Sequence, residues 1–368
     1  MSVYKIFPEK SATLYSFYPT LNTGLDEILE VNTYYSINGT NESSRILLKF
    51  PSDQIQSTFD NLGIGNHTYD AYIKLSLANA SSLPTNYTLY TYPLATDWNK
   101  GTGRLGNLPI TSDGASWKYK DEESGSVWFT SGSFPTGTTG TYRNGGTAGG
   151  GLWWTGSQYA ASQSFTYSTS KDIELKVTNA VFAQYLATIP NYGFILKHNP
   201  SIEFNSSSKF ELKYFSDNTH TIYPPSLEFR WDDSTYNTGS LSVITSDLFV
   251  PSLGNNKGEY QQDSVQRFRV NVRDKFPARV FKTSSLYVSN KALPSSSYWS
   301  IKDLDTEEIV VDYDTKYTKI SCDASGSYFD VYMNGLEPER YYKLLFKTVF
   351  ANGETVISDN NYYFKVIR

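Results

Sequence analysis

Apolar residues in this chain come in short runs of period two, each stopped by glycine, proline, asparagine or aspartate, which argues for sheets over helices. The clearest run is Ser226-Leu227-Glu228-Phe229-Arg230-Trp231, with Leu227, Phe229 and Trp231 on one face and Ser226, Glu228 and Arg230 on the other. That alternation marks a strand with one buried side. Pro224-Pro225 ahead of it cannot donate ladder hydrogen bonds, and Asp232-Asp233-Ser234 behind it is turn chemistry. The run reads as the closing strand of a first domain.

The same pattern predicts strands at 12–17, 27–32, 45–50, 71–78, 87–92, 164–167, 172–178, 192–197 and 210–215, with a turn at Asn38-Gly39. One helix is expected at 177–186, capped by Thr178, with Val181, Phe182 and Tyr185 along one face. Three irregular stretches, 97–106, 114–119 and 144–154, carry tryptophans, and loops of that length are either functional or packed down by their own large side chains. The glycine run within 144–154 has no Gly-Lys-Ser/Thr ending and no helix pattern behind it, so a phosphate loop is not expected. Glycine there is expected to let the backbone pass close to bulky rings.

After residue 240 the strands change in texture, with expected runs at 265–272, 285–289, 298–304, 309–313, 328–333, 341–350 and 362–367 and a hairpin turn at Asn352-Gly353. Gly335-Leu336-Glu337-Pro338 followed by Tyr341-Tyr342-Lys343-Leu344 looks like the corner entering the penultimate strand of an immunoglobulin or fibronectin type III fold. The expected organisation is all-β: a large jelly-roll β-sandwich over 1–232, a short stiff linker at 233–240, and an immunoglobulin-like β-sandwich over 241–368.

Composition narrows the function. The bulk of the core must come from 30 Tyr, 21 Phe and 7 Trp against 2 Met, residues that favour pleated surfaces. A net charge of -5 with 19% charged residues gives no electrostatic footprint for nucleic acid. No apolar run approaches a membrane span, and the N-terminus lacks the apolar stretch of a secretory signal, so neither a membrane nor export is expected. Asn-x-Ser/Thr triplets, as at Asn66 and Asn86, are then chance occurrences in an Asn/Ser/Thr-rich chain. Cys322 alone forms neither an intrachain disulfide nor a cysteine zinc site.

His67, His198 and His220 are far apart in loop-like contexts with no second ligand at i+3 or i+4, so surface or hydrogen-bonded histidines are expected and no metal. Asp303, Asp305, Glu307, Glu308, Asp312 and Asp314 lack the glycine and closing glutamate of a calcium loop and read as a solvated turn. No nucleophile–base arrangement stands out, so no catalytic residue, no enzyme activity and no cofactor is expected. Trp98, Trp117, Trp128, Trp153 and Trp154 lie in or beside loops. They are the candidates for a sugar-stacking platform, against the plainer reading that they plug the ends of the sandwich.

Several pieces occur in the order of a known family. They are Ala12-Thr13-Leu14 with Asn22-Thr23-Gly24, Leu29-Glu30-Val31, Arg45-Ile46-Leu47-Leu48-Lys49-Phe50, Thr96-Asp97-Trp98, Ser116-Trp117, Asp172-Ile173 before Val177-Thr178, Asn191-Tyr192-Gly193-Phe194-Ile195-Leu196, and Pro225-Ser226-Leu227-Glu228-Phe229. On these, residues 11–232 resemble the DNRLRE-type jelly roll, a β-sandwich related to carbohydrate-binding modules. Four further pieces, 116–119 with Trp128, 162–165, 214–216 and 231–234, are similar to virion structural proteins of contractile-tailed phages, notably those of marine cyanobacteria. The resemblance implies a virion part assembled in the host cytoplasm, a tail, neck or capsid-associated component. Its partners would be other virion proteins, in a symmetric homo-oligomer. It leaves open a carbohydrate-binding adhesin or receptor-binding fibre that uses the loop tryptophans on host surface glycans.

Overall fold

A computed structural model describes residues 2–35, 39–130, 134–141, 148–205, 209–277 and 289–368, and the regular structure is nearly all antiparallel strand. The chain forms an all-β sandwich fold. Asn38 of the expected turn, most of the strand expected at 285–289 and the start of the glycine run lie outside the described residues. The chain divides into two compact units: unit one is Ile6–Gly63 with Asp70–Glu228, and unit two is Met1–Lys5, Ile64–Tyr69 and Phe229–Arg368.

In unit one the strands Ala161–Thr166, Asn86–Pro93, Phe194–His198, Asn41–Lys49 and Lys10–Tyr15 pair in that order, and Thr33–Tyr35 pairs with the outer half of Asn41–Lys49. A second sheet orders Ile28–Glu30, Glu211–Phe215 and Leu77–Ser81, and Ile173–Lys176 pairs with the end of Thr68–Leu75. The period-two expectation holds where it was cleanest, since Ala71, Ile73 and Leu75 are buried while Tyr72 and Lys74 are half-buried. In Ser226–Asp232 it holds only in part, because Ser226 and Glu228 are buried too, and Glu228 meets Lys74 at 3.6 Å.

The expected helix appears at Thr178–Tyr185, but its buried residues are Ala180, Val181, Ala183 and Gln184, with Phe182 left exposed. Thr178 does not cap it: the N-cap is Val177, with no side-chain cap bond, and the Thr178 hydroxyl, already in the first turn, instead accepts a hydrogen bond from the Ala71 amide. The sequence pattern does not predict the second helix, Ser52–Asp60. Ile55 and Phe59, one turn apart, face inward, and Phe59 stacks on Tyr185 at 4.3 Å between ring centroids.

The irregular 97–106 stretch is packed down rather than free. Asn22 is fully buried, and its side-chain amide donates to the carbonyls of Lys100 and Ala115 at 2.8 and 2.9 Å. Its carbonyl oxygen accepts from the amides of Gly24 and Gly103 at 3.1 and 2.8 Å. The glycines are required here: a Cβ on Gly103 would lie 2.2 Å from the Asn22 carbonyl, and one on Gly101, at φ +72°, would lie 2.5 Å from Asn22 Oδ1. Asn22→Ala strands four backbone groups at once. It is expected to lower the stability of unit one by at least about 2 kcal/mol, read as a shift in denaturation midpoint, with an unchanged midpoint refuting the hub.

Unit two has the strand order of an immunoglobulin sandwich. One sheet orders Phe249–Gly254, Val265–Asp274, Gly326–Tyr332 and Ser321–Asp323; the other orders Glu259–Gln261, Thr355–Ile367, Tyr341–Val349, Ser297–Asp303 and Ile309–Val311. Trp299, on the strand equivalent to C of that fold, is buried and stacks on Phe329 of the opposite sheet. The expected corner is present: the Tyr342 hydroxyl donates to the Glu337 carbonyl at 3.0 Å, pinning the entry to the strand Tyr341–Val349. The buried thiol of Cys322 is free. In the stretch expected as a linker, Thr235 and Asn237 exchange backbone hydrogen bonds with Cys322, and the Tyr236 hydroxyl reaches the Leu293 carbonyl.

The acidic turn corrects one expectation. Asp303 is buried, not solvated, and forms a two-pronged pair with Arg340 at 2.7 Å on each arm while accepting the amides of Asp305 and Thr306. Burial alone would raise its pKa, but Arg340 and those amides outweigh it and hold the carboxyl at about 2.

Candidate functional site

Four of the five tryptophans singled out by sequence come together in unit one. Trp98, Trp117, Trp128 and Trp153 belong to a single buried cluster with Ala12, Leu14, Leu47 and Ile195, and none is more than 6% exposed. Trp98 Nε1 donates to the Tyr192 carbonyl at 3.0 Å and Trp128 Nε1 to the Ser116 carbonyl at 2.9 Å, so their polar edges are turned inward as well. Trp154 is half-buried beside them, its indole N–H enclosed. Stacking on a sugar needs an accessible ring face, and four of these rings offer their faces to the core.

Two of these tryptophans, Trp117 and Trp153, flank a charged cluster that sequence reading did not single out. Arg45 sits in Asn41–Lys49 opposite Leu14, Lys197 in Phe194–His198, and Glu203 ends the short helix Pro200–Glu203. All three are at most 3% exposed. Arg45 grips Glu203 with Nε at 2.6 Å and Nη2 at 2.9 Å, and Lys197 Nζ reaches the same carboxylate at 2.7 Å. The Arg45 guanidinium lies 4.7 Å from the Trp117 ring and 5.1 Å from Trp153, and the Lys197 ammonium lies 5.4 Å from Trp153. Cation–π contacts of this kind are worth up to about 2 kcal/mol each when desolvated.

The glycines complete the enclosure in the way the sequence suggested. Arg45 Nη1 donates to the Gly150 carbonyl, and the Gly150 amide donates to the Trp117 carbonyl at 2.6 Å. A Cβ on Gly150, at φ +73°, would stand 2.7 Å from both Arg45 Nη1 and the Trp117 ring. Gly150→Ala is therefore expected to cost about 2 kcal/mol or more in the stability of unit one, measured by denaturation with tryptophan fluorescence. A wild-type midpoint would refute the contact.

Two cations and one carboxylate leave one positive charge in excess, and the protonation equilibria reflect it. Burial pulls Lys197 down to about 8, with Glu203 opposing and Arg45 reinforcing. Burial pushes Glu203 up, but Arg45 and Lys197 outweigh it and the carboxyl stays below its usual range. His198, expected in a loop, is instead a fully buried strand residue next to this cluster. Its Nε2 lies 3.1 Å from the Val31 carbonyl; a carbonyl only accepts, so Nε2 carries the proton and Nδ1 is left buried without a partner. Burial pulls the imidazole down to about 4, against the field of Glu203. His67 and His220 are exposed, as expected.

The three charged groups are buried and bonded to one another, an arrangement that acts as a clamp between chain segments. It ties the strands Asn41–Lys49 and Phe194–His198 to Gly149–Trp154, which was expected as loop but is a strand paired with Thr138–Thr141. Among the described residues no group of three or more His, Cys, Asp or Glu side chains could hold a metal ion, and no helix is long and apolar enough to cross a membrane. No family model matches the chain, and no curated protein matches it.

Proposed function

We propose that this chain is a non-enzymatic structural protein of a phage virion, a tail, neck or capsid-associated component acting through protein–protein contacts with other virion proteins in a symmetric homo-oligomer. The order of DNRLRE-like pieces in residues 11–232 motivates the reading. The observation that supports it best is the use of the tryptophans: Trp98, Trp117, Trp128 and Trp153 pack into the core, and Trp117 and Trp153 flank the Arg45–Glu203–Lys197 clamp, instead of presenting stacking faces. A unit that commits its largest side chains to internal rigidity suits a building block. The same placement removes the proposed basis of the adhesin alternative, in which these rings would stack on host glycans. Mass spectrometry of purified particles is expected to find the chain at a fixed copy number relative to the major capsid protein. Its absence from mature particles would overturn the proposal.

A further inference from the structure

Unit two holds a cleft of about 280 Å³ lined in part by Ser234, Tyr236, Ser295, Ser296, Tyr298 and Lys319. The volume lies at the small end for ligand sites and suits one ring with its substituents. Its walls are polar and apolar in about equal measure, and three of its hydroxyls already direct their protons inward. Ser234 Oγ donates to Asp232, the Tyr236 hydroxyl to the Leu293 carbonyl, and Ser296 Oγ to the Val349 carbonyl. Each of these oxygens keeps lone pairs for an incoming donor. The ring of Tyr236 is exposed at the mouth, where it can cover an apolar C–H face, and Lys319 brings a cation to the same wall.

A ligand matching this wall offers several hydroxyl donors, one flat C–H face and one negative group. We propose that the cleft binds a single acidic saccharide unit, with its hydroxyls on Ser234, Tyr236 and Ser296 and its carboxylate at Lys319. Asp232 lies close enough to Lys319 to feel its charge, so the carboxylate is held at a partly compensated cation and the affinity is modest. The site uses none of the loop tryptophans and does not depend on the virion reading.

Saturation-transfer NMR on the full chain with D-glucuronate and D-glucose as probes tests it. Glucuronate is expected to saturate at a roughly millimolar Kd, as befits a ligand of this size. Glucose on the wild type, and glucuronate on Lys319→Gln, are expected to bind about fivefold more weakly, as for one partly solvated ion pair. Ser295 is exposed at the mouth, so Ser295→Trp fills the cleft without touching the core and is expected to abolish the signal. No saturable signal with either sugar, equal binding of the two, or glucuronate binding unchanged in Ser295→Trp would each overturn the proposal.

Discussion

Glu203→Gln is expected to destabilise unit one by roughly 3 kcal/mol, a shift of about 1 M or more in urea midpoint, while Lys197→Met changes it by no more than about 1 kcal/mol. The two residues touch each other at 2.7 Å and are equally buried, so loss of contact alone would give similar effects. Charge separates them. A neutral amide in place of Glu203 would leave Arg45 and Lys197 as two desolvated cations with no counterion, and breaking a buried pair from the minority side carries the penalty of the charges left behind. Lys197, already drawn down to about 8, can shed its proton, which limits the loss. A thioether in place of Lys197 would leave Arg45 and Glu203 in their two-pronged pair with zero net charge and keep an unbranched side chain against Trp153. Fluorescence reads this unit selectively enough, because Trp117 and Trp153 lie on the cluster itself. A Lys197→Met loss equal to or larger than that of Glu203→Gln would refute the charge count.

The clamp also marks where sequence reading stops. Arg45-Ile46-Leu47-Leu48-Lys49-Phe50 was legible as a buried strand, yet a guanidinium inside such a run demands a counterion. The partner is Glu203, 158 residues later in the chain, and nothing local couples the two; only the pairing of Asn41–Lys49 with Phe194–His198 does so. Features closed within a few residues fared better. The Tyr342–Glu337 corner and the helix at Thr178–Tyr185 each depend on local spacing. Asn22-Thr23-Gly24 shows the intermediate case. Its turn chemistry was visible, but its role as anchor for Gly103 and Ala115 needs the 97–106 stretch folded over it. The helix Ser52–Asp60 escaped because only Ile55 and Phe59 carry its period in a polar stretch. Asp303 escaped because its acidic neighbours suggest solvent, whereas Arg340, on another segment, neutralises it.

Acid is expected to weaken unit one through His198 by about 3 kcal/mol between pH 6.5 and pH 4. In the folded chain the imidazole titrates at about 4, and in the unfolded chain near its ordinary 6.5. Between those values the unfolded chain takes up a proton that the folded one refuses, so each step down in pH favours unfolding. The cause is burial first, and the geometry agrees. Nε2 already donates to Val31, and a second proton on Nδ1 would have no acceptor, with Phe210 edge-on to the ring and Lys197 adding repulsion that Glu203 only partly offsets. Other shifted carboxylates also shape the whole curve. Burial raises Asp26 to about 6, so that residue gains stability as pH falls through 6, whereas Glu203, held below its usual range, adds a loss at lower pH. Comparison with His198→Phe isolates the histidine: urea midpoints of the two proteins are expected to differ by a constant near pH 7 and then converge or cross toward pH 4, as the wild type alone bears the cost of the proton. Parallel curves from pH 7 to 4, or a folded-state His198 ring resonance titrating near 6.5, would refute it.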